Sequence, residues 1–132
     1  MAEADIICLA GKNQVACDVL LGLLAKGYSP QSIRVIPNRD DTGRHTWQPS
    51  LSAHAQRQDV QVISLEAAQA IEGATFLSVE FDRILRPERF SSQKLFNIHF
   101  SLLPRHRGVY TAIWPILEGD SASGVTLHRI DS

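Results

Sequence analysis

Apolar residues along this chain switch repeatedly between short continuous runs and three- and four-residue spacings. Ile6 to Ala10 is a near-continuous apolar run, the pattern of a strand covered on both faces, and Gly11 ends it. From about Gln14 to Lys26, Val15, Val19, Leu20, Leu23 and Leu24 recur at helical spacing, and Gly27 is a natural stop. Ile33 to Ile36 predicts a second strand, closed by Pro37-Asn38. Polar and turn-forming residues fill 38–50; Leu51 to about Gln58 then predicts a weaker helix, Val60 to Ile63 a third strand, and Leu65 to Ile71 a short Ala-rich helix before Gly73. Thr75 to Val79 and Leu95 to Phe100 predict further strands, separated by a charged stretch containing Pro87. Trp114, Ile116 and Leu117 suggest a short final helix, and Gly124 to Ile130 a terminal strand. Strands alternating with helices imply an α/β fold, a mostly parallel sheet with helices on both faces.

The chain's 132 residues suit one domain, and 44% hydrophobic with 20% charged residues is the profile of a folded globular chain. Thirteen Lys and Arg against fourteen Asp and Glu give a net charge of -1, so no global field favours nucleic acid or an anionic membrane as partner. No apolar run approaches the roughly 20 residues of a membrane span, and the N-terminus lacks a signal-peptide pattern, so a cytoplasmic location is expected. Cys8 lies in an apolar run and Cys17 in a helix, which predicts core positions rather than a disulfide framework. His45, His54, His106 and His128 have surface or packing explanations and no ligand spacing, so no metal is expected.

In an open parallel sheet, ligands bind beyond the carboxyl ends of the strands, which directs attention to four segments. Gly11-Lys12-Asn13 leads into a helix whose exposed N–H groups suit an anion. It has neither the phosphate-loop nor the dinucleotide glycine pattern, and a strand-to-helix turn with Asn13 as N-cap is the favoured reading. The segment from Asn38 to Ser50 carries Arg39, Asp40, Asp41, Arg44, His45 and Trp47, and is long for a strand-to-helix connection. Its Trp47 can cover a ligand or plug the core edge. Val79-Glu80-Phe81-Asp82-Arg83-Ile84-Leu85 runs from strand into loop. There Phe81, Ile84 and Leu85 can wall an apolar slot whose backbone meets a flat heterocycle; a plain strand end with a solvated Asp82–Arg83 pair is the alternative.

The fourth segment, Phe96 to Gly108, is the most informative. Strand alternation sets Phe96, Ile98 and Phe100 on one face and Asn97 with His99 on the other. An amide donor beside a titratable imidazole suits attack on a carbonyl: the amide stabilises developing oxyanion charge, worth about 3 kcal/mol in known cases, and the imidazole moves a proton near neutral pH. The same pair also occurs as plain polar surface. Pro104 and Gly108 mark a rigid turn beyond it, and Arg105, His106 and Arg107 form a small basic cluster that can meet phosphate or simply be solvated.

Asn97-Ile98-His99, Ser101-Leu102-Leu103-Pro104, Arg107-Gly108 and Gly124-Val125-Thr126 together resemble the signature of the N10-formyltetrahydrofolate-dependent formyltransferases, in order along essentially the whole chain. Pro37-Asn38 with Asp41-Thr42-Gly43, Trp47-Gln48-Pro49-Ser50, Glu80-Phe81-Asp82, and Tyr110-Thr111 with Ile113 to Leu117 are most similar to the members that formylate dTDP-linked amino-dideoxy sugars. The resemblance implies a Rossmann-like N-terminal catalytic domain. It makes Asn97 the stabiliser of the tetrahedral intermediate and His99 the proton-transfer residue. It sets the pterin of N10-formyltetrahydrofolate, the cosubstrate, near Val79, Glu80, Phe81, Asp82, Arg83 and Ile84, and implies a part in sugar-nucleotide binding for Lys12, Asn13, Asp41, Trp47 and Tyr110. Formylfolate and a nucleotide-linked amino sugar are the partners implied, and full-length members are expected to be homodimers. A methionyl-tRNA or small-amine formyltransferase, or a non-catalytic folate or nucleotide binder, are the alternatives. The family's third catalytic residue, an aspartate that holds the histidine, corresponds to a position beyond Ser132. Residues 1–132 are therefore expected to be a catalytic-domain fragment, without the end of that domain or the C-terminal domain, and nearly inactive alone.

Overall fold

The computed structural model of the protein describes residues 5–99 and 126–130. Within them, β1 (Ile7–Gly11) leads to α1 (Asn13–Ala25), β2 (Ile33–Pro37), α2 (Leu51–Arg57), β3 (Gln61–Val62), α3 (Leu65–Gln69), β4 (Thr75–Val79), β5 (Leu95–His99) and β6 (Thr126–Arg129). The six strands form one sheet in the order β3-β2-β1-β4-β5-β6. The first five are mutually parallel, and β6 runs antiparallel to β5 with His99 opposite Thr126. This is the expected doubly wound α/β sheet, with an antiparallel strand at one margin. The helix suggested at Trp114 to Leu117 lies outside the described residues.

Covering both faces of the sheet explains the continuous apolar run of β1, all five of whose residues are buried. Ile7 and Leu9 join Val35, Leu77, Ile98 and the apolar stripe of α1 (Val19, Leu20, Leu23) with Leu51 and Ala55 of α2 in one cluster. Cys8 and Ala10 join Ile36, Phe76, Leu95 and Leu65 and Ala68 of α3 in the other. Helices thus lie on both faces. Cys8 and Cys17 are buried free thiols, each with its pKa pushed up to about 11 chiefly by burial, as core residues should be.

Local signals explain the element ends. Gly27 adopts φ 105, with bonds from the Gly27 N–H to the Leu24 carbonyl and from Tyr28 to Leu23, the double closure of a glycine C-cap. Ser50 and Ser64 accept from the amides of Ala53 and Ala67 and so begin α2 and α3. The expectation of Asn13 as N-cap is corrected: Lys12, extended at φ -151, holds that position without a side-chain cap bond, and Asn13 is already helical. Strand pairing continues through Gly11, opposite Pro37 and Val79, so one residue remains between strand and helix. β3 is shorter than Val60 to Ile63, because Val60 is drawn to α2 by its amide bond to the Ala55 carbonyl.

Candidate active site

At the carboxyl end of the sheet, the segments after β1, β2 and β4 converge because β1 lies between β2 and β4, and β5 ends beside β4. Gly11 makes the approach possible: a Cβ there would overlap the Val79 carbonyl oxygen, so only glycine lets β1 and β4 finish in register.

The 38–50 segment is tied down by one carboxylate. Asp41 Oδ1 accepts from the Gly43 amide (2.9 Å) and the Ser50 hydroxyl (2.6 Å), and its Oδ2 accepts from the Ser52 amide (3.1 Å) in the first turn of α2. His45 Nδ1 accepts from the Ser50 amide at 3.0 Å, and its ring meets His54 edge to face with centroids 4.8 Å apart. Burial, then the neighbouring His45 and Arg57, lowers the pKa of His54. Both histidines therefore serve packing, in keeping with the reading of them as bland.

The loop so formed lines, with Lys12, a depression that includes Asp40, Thr42, Arg44, Thr46 and Gln48. Of the residues expected to meet a sugar nucleotide, Lys12 and Asp41 are brought together there. Asn13 opens α1 one residue further on, and Tyr110 lies outside the described residues. Trp47 is 86% exposed, which removes the alternative that it plugs the core edge.

The 79–85 segment is shaped from below. Phe81 and Leu85 pack on the second core cluster, with Phe81 edge-on to Phe76 at 6.4 Å, whereas Ile84 is 86% exposed. The slot expected from these three residues is thereby corrected: Phe81 and Leu85, half-buried, pack against the second cluster, Phe81 edge-on to Phe76, and Ile84 faces solvent. Arg83 lies over the Phe81 ring at 4.7 Å. Glu80 adopts φ 56, a left-handed conformation costing a non-glycine residue on the order of 1 kcal/mol.

Asp82 is more than half of a solvated pair. It contacts Arg83 Nε at 3.3 Å and Arg39 Nε at 3.5 Å, and accepts from the Arg39 amide at 2.9 Å. Burial opposes its ionisation, but the Arg39 amide and the two guanidinium groups outweigh that and hold its pKa below the ordinary carboxylate value. Because the folded-state pKa is depressed, its contribution to stability is complete above the unfolded pKa and is lost as pH falls through the folded one. Denaturant unfolding at a series of acid pH values is expected to show this loss, and Asp82→Asn to flatten that part of the profile. Equal slopes would count against the ion pairs.

β5 supplies the remaining groups. Phe96 and Ile98 join the first core cluster and Leu95 the second, so Asn97 follows Leu95 on that second side. Asn97 is half-buried, and its register partner on β4 is the buried Ser78. His99 is the last residue of β5. The sequence stretch from Ser101 to Gly108, with Arg105, His106 and Arg107, lies outside the described residues.

Among the described residues, no group of three or more His, Cys, Asp and Glu is arranged to hold a metal ion, and no helix is long and apolar enough to cross a membrane.

Sequence reasoning missed Asn38. It is 3% exposed and bonds to the last residue of β1 and to the segment after β4, but those partners are 27 and 42–44 residues away and no local pattern announces them.

Comparison with known proteins fits this arrangement. A family model described as formyl transferase matches residues 3–132. The chain is 28% identical to the methionyl-tRNA formyltransferase of Geobacter sulfurreducens over all of its own length and 45% of that protein's. Among solved structures it is similar to WlaRD, a sugar 3N-formyltransferase crystallised with dTDP and 5-N-formyl-THF. The likeness has 45% identity and a TM-score of 0.75, over 98% of this chain and 47% of that one. It is similar too to the N-formyltransferase of Helicobacter canadensis, solved in complex with folinic acid and dTDP-3-aminofucose. There the identity is 46% and the TM-score 0.75, over 97% of this chain and 48% of that one. The chain thus spans about half the length of the relatives it matches. A match over nearly every residue, on a sheet whose strand ends gather the expected segments, shows that the chain belongs to the formyl transferase family.

Proposed function

We propose that the protein transfers the formyl group of N10-formyltetrahydrofolate to the amine of a dTDP-linked amino-dideoxy sugar. The observation that carries this reading is the 45–46% identity to two sugar formyltransferases whose structures hold a formylated folate with dTDP or a dTDP-amino sugar. The methionyl-tRNA reading is supported by only 26–29% identity, and a net charge of -1 is poorly suited to a polyanionic substrate.

In this reading the unprotonated sugar amine bonds to the formyl carbon, the bond from that carbon to N10 breaks, and one amine proton ends on N10. Asn97 donates to the formyl oxygen as negative charge builds there, and His99 carries the proton. The 79–84 segment receives the pterin through its backbone. The Glu80 carbonyl and Asp82 amide are held by Asn38, which fixes the loop that would meet the ligand. Lys12 and Arg44 are the cations of the depression beside α1, which Asp40 and Asp41 also line, and would meet a diphosphate there, with Asn13, Trp47 and Tyr110 completing the sugar-nucleotide site. Asp41 acts by holding its loop. The reading carries with it a homodimeric whole protein in the cytoplasm.

Calorimetry with 5-formyltetrahydrofolate and with dTDP tests the assignment. Binding of both is the expected result; folate without dTDP would point to another acceptor or a non-catalytic folate binder, and binding of neither overturns the reading. Trp47 supplies a finer test. Because its ring is exposed, Trp47→Ala is expected to leave the unfolding midpoint unchanged and weaken dTDP-sugar binding by roughly 5- to 30-fold, the loss of about 1–2 kcal/mol of stacking. Unchanged affinity would remove Trp47 from the site.

A further inference from the structure

We propose that Asn38 is a positioning residue, one that locks the loop after β2 to the loop after β4 and so keeps the sugar-nucleotide and formylfolate segments in fixed relation. Its bearing on ligands rests on the function proposed above; the lock itself stands on geometry.

Asn38 forms bonds in four directions. Its amide donates to the Gly11 carbonyl at 3.1 Å, behind it on β1, and its carbonyl accepts from the Asp41 amide at 3.0 Å, starting the turn that delivers Asp41. Across the sheet end, its Nδ2 donates to the Glu80 carbonyl at 3.0 Å and its Oδ1 accepts from the Asp82 amide at 3.2 Å. Asp82 answers by accepting from the Arg39 amide, so the two loops exchange bonds in both directions. β2 and β4 are not neighbours, because β1 lies between them. The side chain therefore joins two loops that strand pairing leaves independent.

The chemistry demands an amide. One planar group donates to Glu80 and accepts from Asp82 through two separate atoms while almost wholly buried, which neither a carboxylate, an acceptor only, nor an apolar isostere does. The bond to Glu80 also falls on the residue with the left-handed backbone, so Asn38 holds the least favourable conformation of that loop.

Amide hydrogen exchange on the folded protein is the test, with affinities for 5-formyltetrahydrofolate and dTDP measured alongside. In Asn38→Ala, amides of 39–43 and 80–84 are expected to exchange about tenfold or more faster than in the unaltered protein, beyond any change shared by β1 and β4, and both ligands to bind more weakly. Asn38→Asp should resemble Asn38→Ala at neutral pH. In acid it should regain protection at Asp82, because a protonated carboxyl again supplies one donor and one acceptor; Asn38→Ala should regain none at the same pH. The unaltered protein at each pH accounts for the nearby Glu80, Asp82, Arg39, Arg83 and Asp41.

Loop amides unchanged, accelerated only by the factor seen throughout the sheet, or not recovering in Asn38→Asp would each overturn the proposal. If Asn38→Ala does not fold, the pH recovery of Asn38→Asp decides. Should the unaltered protein bind no formylfolate while the exchange results are as expected, the formyl-transfer reading fails and the lock is supported.

Discussion

Replacing Asn97 with alanine is expected to lower kcat for formyl transfer by about a hundredfold to a thousandfold, with little change in KM for either substrate. In the mechanism proposed, the effect falls on kcat because the amide would serve charge that exists on the formyl oxygen only as the amine adds. The fold should survive, since packing on β5 is carried by Leu95, Phe96 and Ile98, and Asn97 is only half-buried beyond them. Steady-state kinetics with formyltetrahydrofolate and a dTDP-amino sugar, on the whole protein, gives the answer. A kcat within a few fold of the unaltered enzyme, with circular dichroism unchanged, would place the oxyanion elsewhere.

Gly11→Ala is expected to destabilise the protein by about 3 kcal/mol or more, a large fraction of the stability of an ordinary domain and enough to lower its denaturant midpoint markedly. The added methyl would overlap a backbone carbonyl, and Val79 cannot withdraw because it is paired with β1 in the middle of the sheet. Gly43→Ala is the instructive control. Gly43 has φ 80 but nothing within 4 Å of an added Cβ, so it should cost only about 1 kcal/mol, from backbone conformation alone. Equal denaturant midpoints for the two variants would contradict the crowding assigned to residue 11.

What the sequence disclosed was what depends on neighbours in the chain. Helical spacing from Val15 to Leu24 and the apolar run before Gly11 are local consequences of burial, and α1 and β1 lie within a residue or so of the positions they indicate. Gly27 as the helix stop and Pro37-Asn38 as the end of β2 were legible for the same reason. Asn13 misled because Asn is a good cap in general, whereas here the strand extends through Gly11 and leaves no room for a separate capping turn. Phe81 and Ile84 looked alike in the sequence, yet only the first packs against the core, edge-on to Phe76. At the site, Asn97 and His99 stood out because they alternate on one strand. The bonds that Asn38 makes to Glu80 and Asp82 did not, since they arise where two loops distant in sequence meet, and an isolated Asn after a strand is usually only a turn former.

The two-residue strand β3 has an effect reaching beyond the single molecule. It forms one margin of the sheet with both side chains, Gln61 and Val62, exposed, and it follows β2 for only two rungs. A stray extended segment from another molecule would find almost no template there on which to zip, so crowding should not easily turn this flank into a nucleus for fibrous growth.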